Sequence, residues 1–294
     1  MLHDPRPPVA PDALPFARSS DAQEALLPRQ FHLGQPHLSA AGLSLAWLIE
    51  ECGHRHRWSI AESLRTRPSL IRDIAGRPVL TPVTTARIAG FTHSFGADEE
   101  VVLAFTLEPS AETGWRSEHA LVGAGGNALS VELITAFTPA RSDDMPALGQ
   151  SQMPPHLEPE REGSLARRTR VLRARGRAAE AVAATHTADQ SVAPSLAVPA
   201  LGGLLHDGAA LLCLAALARL FQAAEAAAGR DAGAPISARE LHLRGGMALD
   251  DAVTVTLTHG LPETAGGGRT GQLATARRRT DDAIVALSAI TRDV

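Results

Sequence analysis

Apolar side chains fall into two rhythms along this chain. Between Ser44 and Leu64, the residues Leu45, Leu48, Ile49, Cys52, Ile60 and Leu64 recur near three, four and seven apart. That spacing puts them on one stripe of a helix, and Ser44 stands where it can cap the first turn. A second segment of this kind, residues 202–229, predicts a helix over 208–228 with Asp207 as its cap. Elsewhere the period is two. Val131, Leu133, Thr135 and Phe137 alternate with Ser130, Glu132, Ile134 and Ala136, while Val253, Val255 and Leu257 alternate with threonines. Strands are predicted over 77–88, interrupted at Pro82, and over 101–107, 118–122 and 128–137, with a turn at 123–126. A second set follows over 236–243, 252–259, 271–278 and 283–291, with Gly266 to Gly268 as a hairpin turn. A helix followed by antiparallel strands thus occurs twice, an α+β organisation.

The segments between follow a third pattern, rich in proline and without period. Residues 1–30 read as a loosely ordered arm and 143–164 as a linker, which divides the rest into domains at 31–142 and 165–294. Residues 191–203 read as a proline-bearing loop. Residues 160–184 read as an exposed helix carrying Arg167, Arg168, Arg170, Arg173, Arg175 and Arg177. That cluster is either a solvated helical face or a basic surface for phosphates or an acidic partner protein.

Composition narrows the classes. The chain has 294 residues and a net charge of −4, which gives no reason to expect nucleic acid. All 28 cationic side chains are arginine and tyrosine is absent. Abundant Ala, Arg, Gly and Pro point to a GC-rich bacterial genome. Cys52 and Cys213 read as buried free thiols, and two cysteines fall short of a structural zinc site, so no metal is expected. The longest strongly apolar run, 209–218, is shorter than the roughly 20 residues a bilayer demands. The first residues lack the basic-then-apolar order of a secretion signal. The expected location is the cytoplasm.

The segments LGQPHLSAAGLSLAWLIEECGHRHRW, GRPVLTPVTTARI and SVELITAFTPA, in that order, resemble the N-terminal part of one bacterial family, that of the leinamycin-pathway bifunctional acyltransferase/decarboxylase. PALGGLLHDGAALLCLAALARLF, ISARELHLRGGMALDDAVTVTL and DDAIVALSAITRD fit its second half more loosely. The resemblance implies a double hotdog, each half a long central helix wrapped by an antiparallel sheet. It implies chemistry on acyl thioesters of coenzyme A or acyl carrier protein in secondary metabolism such as polyketide biosynthesis. The family takes methylmalonyl-CoA, decarboxylates it and passes a propionyl group to a carrier protein. Coenzyme A or phosphopantetheine then enters as part of the substrate, with no separate cofactor. A homodimer stands open beside a monomer. Gly202 and Gly203, ahead of the second helix, are expected to line the substrate site, where a helix N-terminus would offer N–H groups and a positive dipole to a thioester carbonyl or enolate. The family's active-site tyrosine falls at Leu80, and leucine can neither attack a thioester nor donate a hydrogen bond. Thr81 lies beside it as a hydroxyl. The alternatives are therefore a changed reaction, thioesterase-like hydrolysis, or a catalytically silent scaffold or carrier-protein partner.

Within that frame His206 and Asp207 are the leading candidates, as a general base and an orienter of water, against a plain helix cap with an exposed histidine beside it. His37 precedes the first helix, but a dehydratase pattern asks for glycine four residues on, and Gly42 stands five on. His37 and His32 otherwise read as loop histidines flanking a groove. Gln150 and Ser151 either lean toward the first site or form a turn. His54 and His56 are two apart, hence on different helix faces, and read with Trp58 as polar residues near a helix end.

Overall fold

The computed structural model describes residues 26–39, 42–73, 75–76, 79–90, 92–110, 114–139, 164–185, 190–197, 209–210, 214–227, 236–245, 247–248, 252–262 and 269–293. Alternating side chains become ten strands of one antiparallel sheet. The first five are β1 (Leu26–His32), β2 (Val83–Ala89), β3 (Glu100–Ser110), β4 (Gly114–Gly123) and β5 (Ala128–Thr135). The second five are β6 (Gln190–Ala197), β7 (Ile236–Leu243), β8 (Ala252–Pro262), β9 (Arg269–Arg278) and β10 (Ile284–Asp293). Their order across the sheet is β1-β3-β4-β5-β2-β7-β10-β9-β8-β6. Each half runs strand, helix, then four strands. In each the strand before the helix lies at the outer edge, and the strand after it reaches the seam. There β2 and β7 pair antiparallel, from Ala89 opposite Ala238 to Thr85 opposite His242.

Helix α1 (Leu45–Ser63) starts at Ser44, whose Oγ accepts a hydrogen bond from the Trp47 N–H at 3.3 Å. Its buried stripe includes Leu45, Leu48, Ile49, Cys52, His56 and Ile60, while Glu50, His54 and Glu62 face outward. A second helix, α2 (Ser164–Thr185), follows β5 in the chain, and a third, α3 (Leu214–Ala227), precedes β7. Helices α1 and α3 pack against each other on one face of the sheet, and a single core runs beneath both. Leu48 and Val131 of the first half belong to it together with Leu217 and Leu241 of the second. On the opposite face, Ala179, Val182 and Ala183 of α2 pack on Leu273, Leu287 and Ala289 of the second half. Facing outward on β3 and β4 of the first half, Val102 and Val122 stay 37% and 43% exposed.

Several expectations change. The second helix starts at Leu214, not at residue 208, because Ala209–Ala210 pairs with Met247–Ala248 as a short ladder. Asp207, expected to cap this helix, lies outside the described residues. Of the loop expected over 191–203, residues 191–197 are strand β6. Its Pro194 sits in the irregularity between Val192 and Leu196 on an edge, where no N–H is owed to a neighbour. The other edge strand, β1, begins at Leu26, inside the stretch read as an arm, and its Pro28 also falls at a register shift, between Leu26 and Arg29. Strand 77–88 divides at Pro82 as read, into Val79–Leu80 and β2. Among the described residues no helix is long and apolar enough to cross a membrane.

Candidate functional site

A cleft of about 300 Å³ opens where the halves meet, between the start of α1, the last turns of α3 and the adjoining ends of β2 and β7. Its walls are mostly apolar: Leu45, Ile88, Ala223, Ala226, Ile236 and Ala238. Ser39, Thr92 and Gln222 add polar groups around it. Gly90 lets the chain leave β2 here at φ 114°, and a Cβ at that position would meet the Ala128 carbonyl oxygen at 2.7 Å.

Two charged side chains line the same cleft, and both are buried. Arg239 on β7 donates to Glu225 on α3 through Nη1 at 2.9 Å and Nη2 at 2.7 Å. Arg239 Nη1 also donates to Ser288 Oγ at 3.1 Å. The paired fork and carboxylate satisfy each other with charge-assisted bonds, the condition under which a buried ion pair is tolerated. Arg239 Nε, itself buried, has no hydrogen-bond partner.

A second polar group lies deeper, between α1 and the first half of the sheet. Ser117 Oγ on β4 stands 2.7 Å from His56 Nδ1 and 2.9 Å from His119 Nε2. The other nitrogen of His56 bonds Thr135 Oγ1 on β5. All four side chains are sealed from solvent. Burial pushes the His56 imidazole down to about 3, aided by the Arg57 charge. Burial holds His119 well below the ordinary histidine range, with His56 and then Arg55 adding to it. Both rings are neutral. One hydroxyl can donate to only one of them, and a consistent chain runs from His119 Nε2–H to Ser117, from Ser117 to His56 Nδ1, and from His56 Nε2–H to Thr135. It leaves His119 Nδ1 as a buried lone pair without a partner, a smaller penalty than an orphaned N–H. A serine between two imidazoles looks like a nucleophile and its base, but no thioester reaches a sealed hydroxyl. This cluster ties α1 to the sheet.

The sequence-derived candidates scatter. His37 ends a short helical turn before α1 and packs its ring on Trp47, centroids 4.7 Å apart. Its Nδ1 accepts from the Gly34 N–H at 2.7 Å, so a neutral His37 carries its proton on Nε2 and can donate, not abstract, from there. His32 is exposed at the end of β1, opposite Glu100. Thr81 is buried, ahead of β2 and seven residues from Ile88 of the cleft, roughly 20 Å along extended chain. Leu80 pairs with Thr138 in a two-residue ladder at that same far end. His206, Asp207, Gln150, Ser151, Gly202 and Gly203 lie outside the described residues. His56, read as a polar residue near a helix end, is instead wholly buried. Of the arginine cluster, Arg175 reaches Glu240 on the sheet at 3.1 Å, and Arg170 and Arg177 are exposed. The sequence offered no local signal for the Glu225–Arg239 pair or the His56–Ser117–His119 cluster. Their members sit on different elements, 14 and 61 residues apart across the key bonds.

Burial pushes the Cys52 thiol upward, which makes it an inert core residue. Among the described residues no three His, Cys, Asp or Glu side chains converge to hold a metal ion.

No protein-family model and no curated protein matches the sequence. Solved structures do. The chain is similar to the 12:0-ACP thioesterase from Umbellularia californica at 11% identity and a TM-score of 0.57, over 91% of this chain and 94% of that one. It is similar to an acyl-ACP thioesterase from Bacteroides thetaiotaomicron at 9% identity and a TM-score of 0.52, over 90% and 96%. Identities this low speak for fold alone: a large antiparallel sheet with helices on its face, the hotdog fold.

Proposed function

We propose that this chain binds an acyl thioester, carried by coenzyme A or by the phosphopantetheine arm of an acyl carrier protein. The acyl group would enter the cleft and the thioester would lie beside the start of α1. One observation carries the reading: an apolar cleft at the N-terminus of a buried helix, on the seam between two halves of equal strand order. The first-turn N–H groups of a helix have no intrahelical partner and favour a carbonyl oxygen that gains negative charge. The halves read as two hotdog units in tandem, 31–142 and 165–294, in a cytoplasmic bacterial protein. Hydrolysis is the leading reaction, since the structural neighbours are acyl-ACP thioesterases, and His206 and Asp207 are the groups proposed to activate water. The sequence segments that resemble the acyltransferase/decarboxylase family support acyl transfer as another outcome for the same site.

A second reading, a carrier-protein partner without catalysis, gains from one feature of the cleft. Its carboxylate, Glu225, is bound to Arg239 through both oxygens and is not available as a base. Incubation with saturated acyl-CoAs, following free thiol, and with methylmalonyl-CoA plus carrier protein, following intact mass, separates these outcomes. Free acid marks hydrolysis, and acyl-carrier with loss of CO₂ marks transfer with decarboxylation. Binding without turnover marks the silent partner. Failure to bind any acyl thioester overturns the proposal.

A further inference from the structure

We infer that the seam cleft selects uncharged acyl groups and excludes those ending in a carboxylate, through the Glu225–Arg239 pair. The inference rests on the acyl-thioester reading and adds to it the chemical class of the acyl group. The cleft contains a guanidinium, the group that would normally capture a malonyl-type or succinyl-type carboxylate bidentately. Here that fork is already filled. Nη1 and Nη2 of Arg239 both point to Glu225, so the pair presents no net positive charge to an incoming ligand. An anionic acyl tail would meet the Glu225 carboxylate at close range in a setting poorly screened by solvent, with Glu225 3% and Arg239 2% exposed. It would have to lose its own hydration without a free counter-charge.

What the pair leaves unfilled is small and neutral in character. The rest of the lining is largely apolar, with Leu45, Ile88, Ala226 and Ile236, which suits an uncharged acyl chain. At about 300 Å³ the space is at the low end for ligand pockets, so it suits a short acyl group and not a whole coenzyme. Methylmalonyl groups belong to the excluded class. Their exclusion separates this chain from the decarboxylase chemistry that its sequence resembles.

Butyryl-CoA and succinyl-CoA are close in size and differ by the terminal carboxylate, which makes them the probes. Titration calorimetry of the full chain is expected to show butyryl-CoA binding at least roughly tenfold tighter than succinyl-CoA. Glu225→Gln keeps the shape and an acceptor while freeing the Arg239 charge, and it is expected to shift the ratio toward succinyl-CoA by roughly tenfold or more. Glu225→Asp keeps the charge but draws the carboxylate back from the guanidinium, a milder change in case Glu225→Gln does not fold, and it is expected to shift the ratio the same way by less. An unchanged ratio in both variants would overturn the role given to the pair. Succinyl-CoA binding to the native chain as tightly as butyryl-CoA would overturn the selectivity and leave the thioester reading standing. Binding of neither would overturn both.

Discussion

At the scale of single residues, the buried imidazoles make the protein sensitive to acid. His56 stays neutral in the fold until about pH 3, whereas in the unfolded chain it takes a proton near 6.5. Across that window the unfolded state binds more protons, so stability is intact above pH 6.5 and falls as pH drops toward 3. The slope approaches ~1.4 kcal/mol per pH unit for His56 alone, and His119, depressed in the same direction, steepens it. Urea midpoints at pH 7.5, 6.0 and 5.0 are expected to decline in this way. In His56→Gln they should start lower, by about 1–3 kcal/mol for the broken bonds to Ser117 and Thr135, and then fall less steeply. Equal slopes in the two proteins would mean that His56 is not the titrating group. Glu240 makes a second test at this scale. It is buried on the outer face and approached by Arg87 Nε at 3.7 Å and Arg175 Nε at 3.1 Å. Glu240→Gln is expected to lower stability by about 1–3 kcal/mol, discounted because both arginines are partly exposed. Chemical denaturation measures it, and a loss weakened by 0.5 M salt identifies the electrostatic part.

At the scale of elements, what the sequence made legible was what local chemistry decides. α1 has a capping serine and a stripe of regular period, and both lie within the helix itself. The start of the second helix is not legible, because small apolar residues suit strand and helix alike and a two-residue ladder to Met247–Ala248 decides between them. β6 is not legible because a proline in an edge strand looks the same in sequence as a proline in a turn. The cleft was invisible for a related reason: Leu45, Ile88, Ala226 and Ile236 come from four elements, and only their packing makes a cavity. α2 carries a prediction of its own. Glycine inside a helix normally weakens it, and alanine would add ~1 kcal/mol. At Gly176 a Cβ would lie 2.7 Å from His242 Nδ1 and 2.5 Å from Arg244 Nη2. The arginine tip can swing aside, but the His242 ring is fixed in the sheet, 1% exposed. Gly176→Ala is therefore expected to lower the thermal midpoint, with a net loss of about 1–2 kcal/mol as α2 lifts from the sheet. A raised midpoint would show that the helix shifts at little penalty.

At the scale of the whole molecule, the seam between β2 and β7 makes one sheet of ten strands and places the cleft on its own line. The cleft takes its lining from both halves at once, α1 and β2 from one and α3 and β7 from the other. The sheet's outermost strands, β1 and β6, would otherwise offer rows of unpaired N–H and C=O groups to other chains. Each instead has a proline at an irregularity, Pro28 in one and Pro194 in the other. Replacing both with valine is expected to leave the chain folded and to raise its tendency to self-associate. Light scattering against concentration would register that tendency, and unchanged scattering would mean the edges are guarded by something else. Two five-stranded sheets standing apart have four open borders, and their union along β2 and β7 has left two. With a proline standing at each survivor, a third such unit has no border to join. The same arrangement that joins two halves also limits the molecule to two.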